Sequence, residues 1–245
     1  MDDTQEFNER NRAFVRRMAG DERLRDLTKE WLHTATQHEY SYHFTWLGRP
    51  IIQFPQDIVA TQEIIWRVRP DLIIETGIAR GGSLIFSASL LELIGGDGLV
   101  VGVDVDIREH NRIEIERHPL AKRIKMIEGS SVEESTVRQV QSYAEGRSTV
   151  LVMLDSNHTH EHVLSELKLY APFVTPGSYL IVYDTIVEQM PDDMYPNRPW
   201  RRGDNPLTAV KEFLAQNSDF EVDREVEEKL LITVAPGGYL RRLKR

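Results

Sequence analysis

Two aspartates and a histidine stand where two apolar stretches of the sequence end. Asp155 closes the stretch TVLVMLD, His158 follows it by three residues, and Asp184 closes the stretch SYLIVYD. Both stretches are apolar almost throughout, which is typical of strands buried on both faces of a parallel sheet. Because such sheets bind ligands beyond the carboxyl ends of their strands, we expect the three side chains to lie beside one pocket.

Residues of these types predict hydroxyl chemistry assisted by a divalent cation. Asp155 and Asp184 offer the oxygen ligands that Mg²⁺ takes in proteins, and Thr185 would add a weaker oxygen. A cation there would lower the pKa of a bound substrate hydroxyl and fix its orientation. His158 is the candidate base, since its ordinary pKa of about 6.5 suits proton abstraction at neutral pH. The alternative interpretation of His158 is a loop residue that only caps the following helix.

A glycine turn follows an earlier apolar stretch, LIIET, and leads into an apolar helix. Residues 75–83 read ETGIARGGS. The turn lacks the lysine of a phosphate loop, and Ala79 replaces the central glycine of a dinucleotide fingerprint. The spacing E-x-G-x-x-x-G-G-S is common instead in S-adenosylmethionine-dependent methyltransferases, whose glycines let the backbone approach the amino-acid part of the cofactor. The alternative is a tight turn that uses glycine only for its positive φ.

Acidic and hydroxyl residues after the next two apolar stretches extend the predicted cofactor groove. Asp104 ends LVVGVD and is suited to accept both ribose hydroxyls, while Asp106 is a second candidate or the cap of the next helix. Ser130 and Ser131 are candidates for the adenine edge, although Ser131 with Glu134 also fits a capping box. The predicted cofactor residues are Glu75, Thr76, Gly77, Gly81, Gly82, Ser83, Asp104, Asp106, Ser130, Ser131 and Asp155.

A mostly parallel sheet with helices on both faces would position all of these residues. Apolar stretches alternate with helical periodicity, which predicts an α/β fold of the Rossmann-like kind. The predicted strands are 72–76, 99–104, 123–129, 149–155 and 178–184. The predicted helices are 56–68, 82–94, 107–117, 133–145, 160–171 and 206–216. The last two stretches, FEVDREV and KLLITVAP, predict an antiparallel hairpin at one edge of the sheet.

The sheet domain spans 49–245, and two further segments accompany it, one before the domain and one within it. Residues 1–48 are polar with scattered aromatics and predict an N-terminal cap or arm of one or two helices. The proline-rich stretch 191–206 is too long for an ordinary connection and predicts a lid over the active site. Its Tyr195, Trp200 and Arg201 are candidate substrate contacts, because an aromatic ring beside arginines suits a sugar. Trp200 alternatively anchors the loop by packing.

Composition narrows the class of protein. The chain has 245 residues, of which 40% are apolar, a net charge of −9 and no cysteine. The absence of cysteine excludes disulfides and thiolate chemistry, and the negative charge argues against a nucleic-acid surface. No stretch approaches the roughly 18 apolar residues of a membrane span, and the charged start lacks a signal core. We therefore expect a cytoplasmic enzyme, and its aromatic N-terminal arm favours a homo-oligomer.

Several stretches resemble one known family in composition and order. TWLGRPIIQFPQD, LIIETGIARGGSLIF, GVDVDIR, LDSNHTHEHV and YDTIVE together resemble the family named for cephalosporin hydroxylase and rhamnosyl O-methyltransferase, over about residues 40–235. The resemblance implies a class I methyltransferase fold, with a seven-stranded sheet and a reversed last strand. It also implies S-adenosylmethionine and Mg²⁺ as cofactors and a small-molecule or oligosaccharide substrate methylated on a sugar hydroxyl.

The same resemblance assigns roles to particular positions. The cofactor turn falls on Glu75, Gly77, Gly82 and Ser83, the ribose acid on Asp104, and the metal carboxylates on Asp155 and Asp184. Relatives often carry glutamate just before the second metal aspartate, where this chain has Tyr183. The resemblance therefore implies fewer protein ligands or a substitute such as Glu188. By analogy with catechol O-methyltransferases, His158 takes the place of their lysine base.

Two other function classes stay open on the residues alone. His158, His160 and His162 with a nearby carboxylate fit the two-histidine, one-carboxylate iron site of an oxygenase. The second is a module that binds the cofactor without catalysis, for which Tyr183 in the metal site is the motivating feature.

Overall fold

Seven strands form the central sheet of the computed structural model, which describes residues 2–243 of the chain. In chain order the strands are β1 (Phe44–Trp46), β2 (Arg49–Ile51), β3 (Leu72–Thr76), β4 (Leu99–Asp104), β5 (Ile124–Glu128), β6 (Val150–Leu154), β7 (Tyr179–Val182), β8 (Phe220–Val222) and β9 (Tyr239–Arg242). The α-helices are α1 (Asp3–Ala19), α2 (Glu22–Thr36), α3 (Pro55–Val68), α4 (Gly82–Ile94), α5 (Glu109–Arg117), α6 (Glu134–Ala144), α7 (His160–Tyr170), α8 (Pro206–Gln216) and α9 (Arg224–Leu230). β1 and β2 form a separate hairpin.

The strand order places a pocket at the middle of the sheet. The order is β5-β4-β3-β6-β7-β9-β8, in which β3 to β7 run parallel and β9 runs antiparallel to both of its neighbours. The predicted α/β sheet with a reversed last strand is confirmed. Winding reverses direction between β3 and β6, and the carboxyl ends of strands at such a point form the ligand crevice of α/β proteins.

Alternate residues of the central strands supply two cores, one on each face of the sheet. Ile73 and Leu151 belong to the core that packs under α3 and α4, and Ile74 and Val152 to the core under α6, α7 and α8. All four side chains are fully buried, which stabilises the fold by roughly 1.5–3 kcal/mol each. β3 and β6 therefore form a rigid base for the residues that follow them. Each predicted strand and helix up to residue 216 is confirmed to within about two residues at either end.

The predicted C-terminal strands are correct in direction and wrong in position. Only the first three residues of FEVDREV form a strand, because Asp223 caps α9 by accepting from the N–H groups of Glu225 and Val226. KLLITVAP is not a strand. Its first residues end α9, and the buried carboxylate of Asp57 binds the N–H of Val234 at 2.9 Å in an irregular segment. The reversed strand is β9, further along the chain.

The N-terminal region consists of two helices, within the predicted one or two, followed by a hairpin that the sequence did not predict. β1 and β2 meet at Leu47 and Gly48, both with positive φ, as in a two-residue hairpin turn. The hairpin spans the predicted boundary at residue 48.

α1 buries none of its residues and leaves Phe7 and Phe14 about half exposed. No helix within residues 2–243 has the length and apolar content needed to cross a membrane.

Candidate active site

The glycine turn lies directly against the end of β6. Gly77 follows β3 with φ of +90°, and a Cβ at this position would overlap the carbonyl oxygen of Asp155. Glycine is therefore required for close approach as well as for its φ. The turn and Asp155, predicted from separate stretches, share one wall of the crevice.

Asp104 at the end of β4 organises the same turn. Its Oδ2 accepts from the N–H groups of Ile78 at 2.8 Å and Ala79 at 3.3 Å, and its Oδ1 accepts from Asp106 N at 3.1 Å. The Asp106 side chain is exposed, and α5 begins at Glu109 with no side-chain cap. The alternative of Asp106 as a helix cap was wrong.

Glu75 is a buried carboxylate with one oxygen free of protein donors. Ser83 donates to its Oε1, whereas Oε2 has no hydrogen-bond partner among the described residues. Burial, with smaller contributions from the charges of Asp155 and Asp104, raises the pKa of Glu75 to about 8, although the Ser83 hydrogen bond lowers it. A buried polar atom without a partner needs an explanation, and a donor from a ligand would provide one.

The serines after β5 lie beside α7. Ser131 is buried, its Oγ lies 3.1 Å from His162 Nε2, and its carbonyl oxygen accepts from Tyr170 OH at 2.8 Å. The N-cap residue of α6 is Glu133 rather than Ser131, and it makes no side-chain cap bond. The predicted capping box of Ser131 with Glu134 is therefore not formed. Ser130 precedes this position and is partly exposed.

The predicted cluster of two carboxylates and a histidine is present. His158 Nε2 lies 3.6 Å from Asp155 Oδ1 and 3.2 Å from Asp184 Oδ2. One ligand atom from each residue lies within 4.8 Å of the others. Asp184 adopts φ of +54°, an uncommon conformation for a non-glycine residue that often marks a functional position.

The electrostatics of the cluster favour a cation between the carboxylates. Burial lowers the pKa of His158, but the negative charges of Asp184 and Asp155 outweigh it and raise this pKa to about 9. Burial also raises the pKa of Asp155 to about 7, with Asp184 adding to the shift and His158 opposing it. The two carboxylates therefore favour the protonated form of His158, and the cluster attracts positive charge.

Three residues near the cluster use their side chains for contacts within the protein. Thr185, predicted as a metal ligand, is fully buried and donates its hydroxyl to Pro236 O at 2.8 Å. Glu188, the suggested substitute ligand, accepts from the Gly203 N–H at 2.9 Å. Tyr183 is buried with its hydroxyl 2.8 Å from Thr61 Oγ1. The cluster therefore consists of Asp155, His158 and Asp184.

The side chains of the three histidines after β6 contact three different sets of partners. His160 reaches α8, with Nδ1 at 2.8 Å from Thr208 Oγ1 and Nε2 at 3.2 Å from Glu212 Oε2. His162 faces Ser131, and only His158 joins the carboxylate cluster. The structure does not bring these histidines together, so the predicted alternative of a two-histidine iron site was wrong.

The proline-rich loop covers one side of the cluster. The ring of Trp200 lies 4.7 Å from the ring of His158, centroid to centroid, and Arg198 stacks on Trp200 at 5.1 Å. Tyr195 is partly buried against the cluster of Leu32 and Met190, between the cap and the loop. Arg201 pairs through its backbone with Asp204, and its side chain is exposed.

Comparison with known proteins assigns the chain. Residues 38–243 match the protein family described as Rhamnosyl O-methyltransferase/CmcI. The chain belongs to this family. A rhamnosyl O-methyltransferase of Mycobacterium bovis is 30% identical over 201 residues, covering 80% of this chain and 77% of the relative. One of Mycobacterium leprae is 31% identical over 200 residues, covering 80% and 82%. The chain is accordingly an S-adenosylmethionine-dependent O-methyltransferase.

Solved structures share the fold of this family member. CmcI with Mg and S-adenosylmethionine superposes with a TM-score of 0.58 at 20% identity, covering 83% of this chain and 78% of the other. An O-methyltransferase from Bacillus cereus in complex with S-adenosylhomocysteine gives 0.54 at 16% identity, covering 89% and 90%. The class I methyltransferase-like fold implied by the resemblance is confirmed.

Two residues that contact the glycine turn of this methyltransferase were missed from the sequence. Arg49 of β2 donates to the carbonyl oxygen of Arg80, and Asn111 of α5 donates to that of Ala79. Both donors are distant from the turn along the chain. The only available signal was the stretch TWLGRPIIQFPQD, which contains Arg49 and carried part of the resemblance.

Proposed function

We propose that the enzyme methylates a hydroxyl of a sugar or glycosylated small molecule with a divalent cation at Asp155 and Asp184. The observation that carries this proposal is the cluster of Asp155, His158 and Asp184 beside the glycine turn. The same crevice edge thus offers a cofactor wall and an acceptor site. The 30% identity to rhamnosyl O-methyltransferases supports a sugar as the substrate class.

The donor set fits Mg²⁺. Carboxylate oxygens of Asp155 and Asp184 are ligands of the right type, and a protonated His158 now offsets their charge. A bound divalent cation would supply positive charge that lowers the pKa of both His158 and the acceptor hydroxyl. Thr185, Tyr183 and Glu188 are engaged elsewhere, which leaves the remaining positions to water or substrate.

The residues of the chain supply positioning and proton transfer. Neutral His158 takes the hydroxyl proton at Nε2, the atom that faces both carboxylates. The acceptor oxygen forms the new bond to the methyl carbon as the sulfonium–methyl bond breaks, which yields a methyl ether and S-adenosylhomocysteine. Trp200 shields the cluster from solvent. Alignment of two bound reactants contributes up to roughly 7–11 kcal/mol of barrier lowering.

Four of the predicted cofactor residues have a specific contact in this proposal. The free oxygen of Glu75 would bind the ammonium group of the amino-acid part, and Asp104 would accept from the ribose hydroxyls with its remaining lone pairs. Ser130 and Ser131 border the position proposed for adenine. Glycine is required at position 82 for a different reason, because a Cβ there would overlap the carbonyl oxygen of Pro50 in β2.

Binding of S-adenosylhomocysteine at pH 7 should release close to one proton from Glu75. In the free enzyme the raised pKa of about 8 keeps this carboxyl protonated, and the ammonium group of the ligand favours its ionised form. Calorimetric titrations in two buffers of different ionisation enthalpy measure this release. Glu75→Gln should abolish it, whereas Glu92→Gln on the surface should not. Equal proton release by wild type and Glu75→Gln would refute the assigned contact.

Trp200→Ala should raise the KM for the acceptor by about tenfold with little change in S-adenosylhomocysteine affinity. The indole lies tilted against the ring of His158, and truncation of an aromatic contact at a binding site costs on the order of 1–3 kcal/mol. Trp66→Ala is the matched control, because Trp66 is a half-exposed tryptophan on α3. An unchanged KM for the acceptor would contradict the substrate contact. It would support the alternative interpretation that Trp200 only anchors the loop by packing.

A direct assay tests the function itself. The purified enzyme is incubated with S-adenosylmethionine, Mg²⁺ and either a rhamnosyl glycoside or a catechol, and methylated products are detected by mass spectrometry. We expect methylation of the glycoside and its loss with EDTA. Transfer to the catechol alone would refute the sugar assignment, and EDTA-resistant transfer would refute the role of the cation.

A further inference from the structure

One residue of the glycine turn, Ala79, has a backbone conformation that its side chain disfavours. Gly77, Ala79 and Gly81 have φ of +90°, +44° and +81°. Ala79 carries a Cβ, which in the left-handed region approaches the following carbonyl oxygen and costs on the order of 1–2 kcal/mol. Contacts from outside the turn must therefore hold Ala79 in this conformation.

Arg49 and Asn111 provide those contacts as one connected unit. Asn111 Nδ2 donates to Ala79 O at 3.0 Å, and Arg49 donates to Arg80 O from Nε at 3.1 Å and from Nη2 at 2.6 Å. Arg49 Nη2 also donates to Asn111 Oδ1 at 3.1 Å. Asn111 is 3% exposed and the Arg49 side chain 13%, and hydrogen bonds in such a partly desolvated site are strengthened.

The hairpin that carries Arg49 is firmly attached to the sheet domain. Trp46 Nε1 donates to Ser89 Oγ at 3.0 Å, and its ring meets Phe86 edge-on at 5.0 Å. The carbonyl of Pro50 packs so closely on Gly82 that no side chain fits between them. Arg49 therefore approaches the turn from a fixed base.

We propose that Arg49 and Asn111 are positioning residues that hold residues 77–81 in the conformation that binds S-adenosylmethionine. The inference rests on the proposed location of the cofactor at this turn. Asp104 fixes two N–H groups of the turn from one side, and the Arg49–Asn111 pair fixes two carbonyl oxygens. A turn freed of the pair would populate other conformations, and cofactor affinity falls in proportion to the fraction that leaves the binding conformation.

Titration calorimetry with S-adenosylhomocysteine tests the pair. Arg49→Gln and Asn111→Ala should each weaken binding about tenfold, in line with the loss of one or two hydrogen bonds. Arg69→Gln is the matched control, because Arg69 also donates to a backbone carbonyl oxygen, that of Ile94, away from the turn. It should bind with wild-type affinity. Wild-type affinity of both Arg49→Gln and Asn111→Ala would overturn the proposal.

A second substitution separates positioning from general loss of structure. Ala79→Gly removes the steric cost of positive φ, so it should restore affinity several-fold in the Asn111→Ala background. A detached hairpin would not be rescued in this way, and absence of rescue would overturn the proposal. If Arg49→Gln does not fold, Arg49→Lys keeps the charge and aliphatic stem and should give an intermediate affinity that Ala79→Gly improves.

Gly77→Ala distinguishes failure of this inference from failure of the proposed function. If Gly77→Ala loses S-adenosylhomocysteine binding while the Arg49 and Asn111 variants keep it, the cofactor binds at the turn and the pair is not needed. If all three variants bind normally, the cofactor lies elsewhere and the proposed site is wrong.

Discussion

Asp155→Asn should lower kcat for methyl transfer by on the order of 10²–10³-fold, with nearly unchanged affinity for S-adenosylhomocysteine. The substitution keeps the shape of the side chain and removes its charge. One of the two carboxylates proposed to hold the cation is then lost. The pKa of His158 also falls toward its ordinary value, because one of the charges that raise it is gone. Single-turnover rates and calorimetry measure the two effects separately.

Asp184→Asn and the double variant refine this expectation. Because both carboxylates act on the same histidine and the same proposed cation, the double variant should lose little more activity than either single one. Glu188→Gln is the control acid, since Glu188 binds the Gly203 N–H at the base of the loop rather than the cluster. It should retain most of the activity.

The outcomes separate catalysis from a binding module without chemistry. A wild-type protein that binds S-adenosylhomocysteine but transfers no methyl group to any acceptor would favour the module. Full activity of Asp155→Asn together with an active wild type would show that the chemistry lies outside this cluster. A large loss in Asp155→Asn with retained cofactor affinity supports the proposed catalytic site.

Sequence reasoning brought the residues of the cluster together because strand ends are local features. Asp155, Asp184 and Asp104 each close an apolar stretch, and a parallel sheet brings such positions to one edge whatever the details of its loops. The last two apolar stretches, together with the family resemblance, then indicated the reversed strand. Neither step required knowledge of side-chain contacts.

Features set by distant contacts could not be predicted in this way. KLLITVAP looks like a strand, but Asp57 binds this segment through the hydroxyl of Thr233 at 2.5 Å and the N–H of Val234. The hydroxyl of Thr185 bonds to a carbonyl 51 residues away. Apolar periodicity reports which residues are buried and carries no information about such partners.

Gly77→Ala should lower the free energy of unfolding by about 2–5 kcal/mol and weaken S-adenosylhomocysteine binding on the order of a hundredfold or more. Positive φ costs an alanine roughly 1–2 kcal/mol, and overlap of its Cβ with the backbone at Asp155 adds an overpacking cost of roughly 1–3 kcal/mol. Relief of the overlap must move either the turn or Asp155, and both belong to the proposed site. Urea denaturation and calorimetry measure stability and affinity.

Gly95→Ala is the control that separates the cost of positive φ from the cost of the close contact between residue 77 and the Asp155 backbone. Gly95 has nearly the same φ, +87°, but nothing lies within 4 Å of a Cβ built there. Its substitution should cost only the conformational part, on the order of 1–3 kcal/mol because a ψ of −172° places Gly95 in a region that side chains rarely adopt. Binding should stay intact, because Gly95 lies at the end of α4 away from the crevice. If the two variants lose equal stability and both bind S-adenosylhomocysteine normally, glycine at 77 serves backbone conformation alone. A loss of binding confined to Gly77→Ala supports the contact between the turn and the end of β6 as the physical link between cofactor wall and acceptor site.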